Sequence, residues 1–552
     1  MQARSKTKVL FVVPPNISYE GFVNPAKNVK SVHKNSGDYG AIVTDMPLGI
    51  LSLSAYIKEN GLTQAELVDF NVVLNQIDDI GASSFTGFFD RFFLQPQLLA
   101  YNPDLICISA LFSPSYTNTL DIARSCRQAF PKAIIVAGGG IPTNMYNEIF
   151  KETSSFDALC FGEGEKPLLG LVRAADKIDY LENNDSWITR RKIAAAQPFK
   201  YDFIDNLDEI PFLDYDILKI EEYRLNATIA AYPTIDDRNQ NIPVMTSRGC
   251  PHRCCFCASH TVHGRRMRYY SLERVRNDLK RLKDEYQAKT IIFQDDQFLS
   301  SKKRALAIIG MLKQFGLTAF FPNSLALYAL DRELLEALKG VGVNQLVLAI
   351  ESGSDRVLKE LMHKPLDLKI VKQVTDDCRA LGIYTDVNIL IGVPGETKQD
   401  IAEAKVFLRS IYANWFRINV ATPLVGSEML DICLKNDYIR GDYMECDYKQ
   451  AIVETEDFTV DEIQEAAYIM NLDLNFAHNS DFRLGDYKIA LKGFENAIRA
   501  ARDHALAYYY AAQCYDKLGD AEQAAAYLLM AKRITAEKPL WRKYADLLKT
   551  PI

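Results

Sequence analysis

The chain has 552 residues, with 64 Lys and Arg against 71 Asp and Glu, 48% hydrophobic residues and 24% charged ones. That length holds about three or four domains, each able to bury its own core, and the composition excludes collagen-like, low-complexity and wholly disordered chains. A net charge of −7 gives no electrostatic reason to expect nucleic acid or an anionic membrane as a partner.

No apolar run approaches the roughly 20 residues that span a bilayer. Arg4, Lys6 and Lys8 precede an apolar run at residues 9–13, but Pro14-Pro15 ends it before it reaches signal-peptide length. We read it as a buried first strand and expect a cytoplasmic chain with no membrane span. Of 11 cysteines, four crowd into residues 250–257, and seven are scattered at 107, 126, 160, 378, 433, 446 and 514. The scattered ones read as buried hydrophobes. The crowded ones ask for a metal.

The fold class expected is α/β. Residues 8–173 alternate short β-rich runs (9–13, 67–70, 105–109, 134–137 and 158–161) with helical stretches such as 48–60 and 116–129. This is the pattern of a doubly wound, Rossmann-like parallel sheet, and it predicts a first domain over 1–175. Residues 176–240 lose the rhythm and read as a linker that wraps between domains. Strands are expected again at 244–247, 290–293, 319–321, 345–350, 385–391 and 417–421, with helices after the first five. Six β/α steps within 241–450 suggest a partial (β/α)6 barrel, and ligands in such sheets sit at the C-terminal strand ends.

Residues 451–480 read as a helical connector to an α-helical tail over 481–552. There Leu484-Gly485-Asp486 recurs 34 residues later as Leu518-Gly519-Asp520, and Ala490 and Ala497 recur as Ala524 and Ala531. A 34-residue period with small residues at helix crossings is the tetratricopeptide signature; the alternative is an ordinary Ala-rich helical hairpin. Two repeats are too few for a free solenoid, so the tail is expected to pack on the barrel or to mediate contact with a protein partner or a second copy.

Residues 244–247 run into Arg248-Gly249-Cys250-Pro251-His252-Arg253-Cys254-Cys255-Phe256-Cys257. Cys250, Cys254 and Cys257 form C-x3-C-x2-C in a Gly- and Pro-bearing loop at a strand end. Three thiolates there can hold three irons of a 4Fe–4S cluster and leave the fourth open. A structural zinc would need four ligands; no second C-x2-C pair occurs, and His260 and His263 lie too close to close a finger. Cys255 breaks the spacing and reads as packed.

This cysteine spacing, with the aromatic Phe256 before the last cysteine, resembles the motif of radical S-adenosylmethionine (SAM) enzymes. The resemblance implies that SAM chelates the open iron and is cleaved on one-electron reduction to methionine and a 5′-deoxyadenosyl radical. Further segments follow in the family's order: Gln294-Asp295-Asp296, Glu351-Ser352-Gly353-Ser354, Asn388 with Ile391-Gly392-Val393-Pro394-Gly395-Glu396-Thr397, then Pro423 and Gly426. Phe256, Gln294, Asp295, Asp296, Glu351, Ser352, Asn388 and Gly392 are thereby implied as SAM contacts. One departure stands at residues 323–327, where the resemblance leads us to expect a basic residue near Ala326.

In the first domain Ser109-Ala110-Leu111 closes the third strand and Gly138-Gly139-Gly140 the fourth, with 26 residues between. Glycines after a strand let a cofactor approach the backbone. No G-x-G-x-x-G follows the first strand, and no Walker A motif occurs. The pattern resembles the cobalamin-binding domains of methionine synthase and related proteins, and Pro47-Leu48-Gly49, Gly162-Glu163-Gly164-Glu165 and Leu207-Asp208-Glu209-Ile210-Pro211 are similar to the cobalamin-binding radical SAM group. Implied cobalamin contacts are Pro14, Pro15, Asn16, Ser109, Leu111, Phe112, Ser113, Gly138, Gly139, Gly140, Glu163 and Gly164. The loop from Pro14 to Tyr19 carries no histidine, so the resemblance implies cobalt without a protein histidine on its lower face; His33 reads as a surface residue.

The cofactors implied are a 4Fe–4S cluster, SAM and cobalamin, with a one-electron donor such as flavodoxin or ferredoxin and a small-molecule substrate. The function expected is C-methylation of an unactivated carbon. Cobalamin-dependent cyclisation or rearrangement is the alternative, and a non-catalytic cobalamin sensor or scaffold is a third reading that would not need an open iron.

Overall fold

The computed structural model describes residues 6–25, 31–61, 63–223, 240–445 and 448–552. Along Thr7–Val13 (β1) the side chains alternate between two cores: Val9 and Phe11 pack to one side, Leu10 and Val12 to the other, and all four are fully buried. A strand apolar on both faces belongs inside a sheet covered twice. It lies between Thr63–Asp69 (β2) and Leu105–Ser109 (β3). Ile134–Gly138 (β4), Ala158–Cys160 (β5) and Trp187–Ile188 (β6) complete the order β2-β1-β3-β4-β5-β6. All pairs are parallel except β5 with β6. The strand order reverses between β1 and β3, which opens a crevice beyond their C-terminal ends. Helices Leu48–Asn60 and Tyr116–Ala129 fall on the expected residues.

This sheet continues past the expected boundary at 175. Helices Lys177–Asn183 and Arg190–Ala194 flank β6, whose Trp187 is 1% exposed. The wrapping segment proper is therefore shorter than expected, and its Ile204, Leu207, Ile210 and Tyr215 are buried in a core shared by both sheets. Residues 224–239 of the expected linker lie outside the described residues.

Six further strands form two parallel three-stranded sheets. Asn241–Val244 (β7), Thr290–Phe293 (β8) and Thr318–Phe320 (β9) make the first; Gln345–Glu351 (β10), Tyr384–Ile391 (β11) and Trp415–Val420 (β12) make the second. One parallel bridge, Leu325 to Leu348, joins them. The strand expected at 244–247 ends earlier, at Val244. Ser247–Arg248 instead pairs antiparallel with Arg268–Tyr269 and forms the base of the cysteine loop.

The tail is helical: Val460–Leu472, Tyr487–Ala500, Ala505–Lys517, Ala521–Glu537 and Pro539–Leu547. Gly485 and Gly519, one period apart, share a φ of +85°, a conformation that glycine adopts without strain. The tail is welded to the edge strand β12. Asn475 bonds both the N–H and the carbonyl of Phe416 at 2.8 Å, as a neighbouring strand would. Buried Asp473 pairs with Arg409 at 2.5 Å, and Asp481 accepts from Tyr412 at 2.7 Å.

Cys107, Cys126, Cys160, Cys378, Cys433 and Cys514 are buried and free, as their scatter suggested; Cys446 lies outside the described residues. Among the described residues no helix is long and apolar enough to cross a membrane.

Candidate cofactor-binding site

Cys250, Cys254 and Cys257 sit on the loop between Arg248 and Arg268, free and half-buried. Cys255 is different: it is 3% exposed, its N–H donates to the Met362 carbonyl and its own carbonyl accepts from Met429 N–H. It anchors the loop to the second sheet while its three neighbours stay accessible. Burial pushes the Cys254 thiol up to about 11 and raises Cys250 as well, so metal binding has to displace their protons. Among the described residues no three His, Cys, Asp or Glu side chains converge on a single-ion site. A four-iron cluster spreads its thiolates more widely than one ion does, so three accessible thiols on one loop fit it.

Several residues expected to contact SAM are spent on the protein itself. Asp295 is 4% exposed and accepts from Thr246 N–H (3.0 Å), Thr246 Oγ1 (2.7 Å) and Ser247 Oγ (2.6 Å). Asp296 accepts from Gly249 N–H at 3.1 Å. Both carboxylates thus brace the strand that leads into the cysteine loop. Ser352 is 1% exposed, and its hydroxyl caps Ser354 N–H. Gly392 has a φ of +86° and lies under Ile463, which a Cβ would meet at 2.7 Å. These positions follow strand ends as expected, and these bonds are made to the protein itself.

Others are only partly buried. Gln294 is half-buried and accepts from Asn323 at 3.1 Å, and Asn388 is half-buried on β11. Phe256 packs partly buried against the core. Glu351 sits at an irregularity in β10 with a φ of +69°, a conformation a non-glycine residue holds only where the surroundings impose it. A basic residue outside the expected set, Lys364, has its Nζ 3.5 Å from Glu351, and its charge acts on the Cys254 thiol. Sequence reasoning also missed Tyr328, whose hydroxyl bonds His252 at 2.7 Å inside the cysteine loop and accepts from Gln297 at 3.2 Å.

On the N-terminal sheet, Ser109 at the end of β3 pairs with Gly138 at the end of β4. Beyond them Leu111 and Phe112 are 54% and 53% exposed, and Ser113 starts a short turn. Pro14 and Pro15 are buried; Asn71 accepts from Asn16 N–H and donates to the Pro14 carbonyl, and Asn118 donates to the Pro15 carbonyl. An edge of uncovered apolar side chains beside Gly138, Gly139 and Gly140 fits a large flat cofactor with a slender tail. Gly139 has a φ of +110°, and a Cβ there would stand 2.5 Å from the Ala110 carbonyl, so its demand for glycine comes first from its own sheet. Among the described residues no histidine stands in this edge, and His33 is an exposed partner of Asp38 at 2.9 Å.

Glu163, expected at the cobalamin, is not on that open edge. It is 4% exposed and bonded to Arg268 at 2.6 Å and His263 at 2.9 Å. Gly164 beside it packs under Leu53. Burial alone would raise the Glu163 carboxyl, but the Arg248 charge and the Arg268 and His263 hydrogen bonds reverse this and hold it well below the usual carboxylate range. The two halves also meet at the end of the short helix that starts at Gly140: Asn144 Nδ2 donates to the Gly140 carbonyl at 2.7 Å and to Thr261 Oγ1 at 3.0 Å.

Residues 45–172 match the B12 binding domain family, and residues 244–408 match the radical SAM superfamily. The chain thus sets a B12-binding domain ahead of a radical SAM domain, and the two imply cobalamin, SAM and a 4Fe–4S cluster as its cofactors. It is 26% identical over 441 residues to an uncharacterized methyltransferase of Pyrococcus horikoshii, covering 78% of this chain and 84% of that one. It is 27% identical over 412 residues to the cytidylyl-2-hydroxyethylphosphonate methyltransferase of Streptomyces wedmorensis, covering 68% and 75%. Among solved structures, the cobalamin-dependent SAM radical enzyme OxsB, with aqua-cobalamin and SAM bound, shares the fold with a TM-score of 0.60 at 16% identity, over 99% of this chain and 81% of that one.

Proposed function

We propose that this chain is a cobalamin-dependent radical SAM methyltransferase acting on an unactivated carbon of a small molecule. The observation that carries the reading is the contact between the two domains beside both motifs: Asn144, at the end of the short helix that starts at Gly140, bonds Thr261, a few residues beyond Cys257. When bound, the cluster and SAM supply a radical that removes a hydrogen atom, and cobalamin supplies a methyl group. Cys250, Cys254 and Cys257 would hold the cluster. Glu351, Asn388, Gln294 and Lys364 would orient SAM above it, and Leu111, Phe112, Ser113 and the three glycines would seat the corrin and its tail. The two three-stranded sheets are read as an open six-stranded barrel, and the tail as tetratricopeptide-like. The two relatives named as methyltransferases support methyl transfer.

The test is anaerobic incubation of the reconstituted, reduced protein with methyl-deuterated SAM and candidate metabolites. Methyl transfer predicts a product carrying the labelled methyl in place of hydrogen. An unlabelled product lighter by two hydrogens would instead support oxidative ring closure, and an unlabelled isomer of the substrate would support rearrangement. Absence of 5′-deoxyadenosine from every reaction would leave a non-catalytic cobalamin-binding protein.

A further inference from the structure

The cysteine loop is a hairpin loop, and its base is Arg248 paired directly across from Arg268. Both guanidiniums leave the hairpin and enter the first domain. Arg268 donates to both oxygens of Glu163, at 2.8 and 2.6 Å. Arg248 donates to Glu165 at 2.7 Å and to Ser52 at 3.1 Å, and Ser52 donates in turn to Glu165 at 2.5 Å. The side chains are 2% exposed for Glu163 and Arg268, 4% for Glu165 and 6% for Arg248. Two carboxylates and two guanidiniums therefore balance in charge across a dry seam.

Relative motion is the default expectation for two domains unless a large apolar interface joins them, and here the segment carrying Ile204, Leu207, Ile210 and Tyr215 already fills a core shared by both sheets. Four buried charges add a local lock at the cysteine hairpin, because opening the seam there would strand each one without its partner in low dielectric. The carboxylates come from the loop after β5 and the helix start at Glu165, next to the glycine edge of β4. Arg248 is separated from Cys250 by Gly249 alone, and Cys250 N–H bonds back across the hairpin to the Gly264 carbonyl.

We propose that Glu163, with Glu165, Arg248 and Arg268, is a positioning device that locks the cysteine loop at one fixed separation from the cobalamin edge, so that both cofactors work without the domains swinging apart. The proposal rests on the two-cofactor reading above. Glu163 touches neither cofactor in this account and acts through the two arginines.

The single variant Glu163→Gln leaves a buried guanidinium without its carboxylate and is expected to loosen the hairpin outright. The paired variant E163L/R268M removes both charges at similar volume, a replacement that buried ion pairs commonly tolerate. Two measurements on the full chain decide the matter. Hydrogen exchange over residues 247–269 of Glu163→Gln, without cofactors, should be faster than in the wild type by about tenfold or more if the clamp sets the hairpin. In the reconstituted protein, with iron and cobalt contents unchanged, pulsed electron paramagnetic resonance between the reduced cluster and Co(II) cobalamin should show one narrow distance in the wild type and a broad distribution in the variant. A narrow, unshifted distance in the paired variant would overturn positioning even if exchange rises, and unchanged exchange would overturn the clamp itself. A wild-type chain that takes up no cobalamin would instead count against the function reading; the clamp then stands or falls on the exchange result.

Discussion

Glu396 offers a sharp physical test of the second sheet's C-terminal edge. Its side chain is fully buried; one oxygen accepts from Gly392 N–H at 2.6 Å, and the other has no partner among the described residues. Burial pushes the carboxyl up from 4.5 to about 8, only partly offset by the Gly392 and Val393 N–H groups. The folded chain therefore keeps a proton that the unfolded chain releases once the pH passes about 4.5. Stability falls as pH rises through that window, by about 1.4 kcal/mol per pH unit and on the order of 5 kcal/mol in all. Glu396→Gln keeps an acceptor for Gly392 N–H but cannot ionise. Its buried amide adds a penalty that does not depend on pH. Urea denaturation of both proteins at pH 5 and pH 8 should show the variant gaining on the wild type by several kcal/mol at the higher pH. A stability difference equal at the two values would refute the buried, protonated carboxyl.

Other outcomes follow from the same geometry. Cys250→Ala, Cys254→Ala and Cys257→Ala should each abolish SAM cleavage and lower bound iron after anaerobic reconstitution. Cys255→Ala should keep the iron and lose thermal stability, since its side chain is buried and its neighbours are not; iron loss there would overturn the ligand assignment. Gly139→Val should destabilise the first domain with or without cobalamin, because of the φ of +110° and the 2.5 Å approach to Ala110. Gly138→Ala is the fairer probe, since its Cβ would meet only Cys160 at 3.5 Å. It should weaken cobalamin in an equilibrium titration at unchanged melting temperature, and unchanged affinity would count against the slot. Asp481→Ala removes the acceptor of both Tyr412 and Asn414 and should cost about 2 kcal/mol or more by chemical denaturation, with cluster assembly intact.

Alternation of short β-rich runs with helical stretches made the first sheet legible from sequence: residues 9–13 read as a buried strand, and the helices expected at 48–60 and 116–129 are found there. Legibility failed where the chain's long-range partners decide. Nothing local says that Ser247–Arg248 pairs with Arg268–Tyr269 rather than extending β7, because the braces are Asp295 and Asp296, nearly fifty residues on. The motif segments follow strand ends, as their order along the chain suggested. Asp295, Asp296, Ser352 and Glu163 stand at the expected strand ends, yet each is spent on the protein. The signal for Glu163 was present: two carboxylates at Glu163 and Glu165, and arginines flanking the cysteine loop. Their pairing across about 100 residues of chain was not visible.

The central claim is that two SAM-dependent chemistries share one chain, and product stoichiometry tests it most directly. Reconstituted protein with cobalamin, a one-electron donor and a substrate that becomes methylated should form S-adenosylhomocysteine and 5′-deoxyadenosine in equal amounts, both lost in Cys254→Ala. Formation of 5′-deoxyadenosine without S-adenosylhomocysteine would contradict methyl transfer, and formation of neither would contradict the enzyme itself.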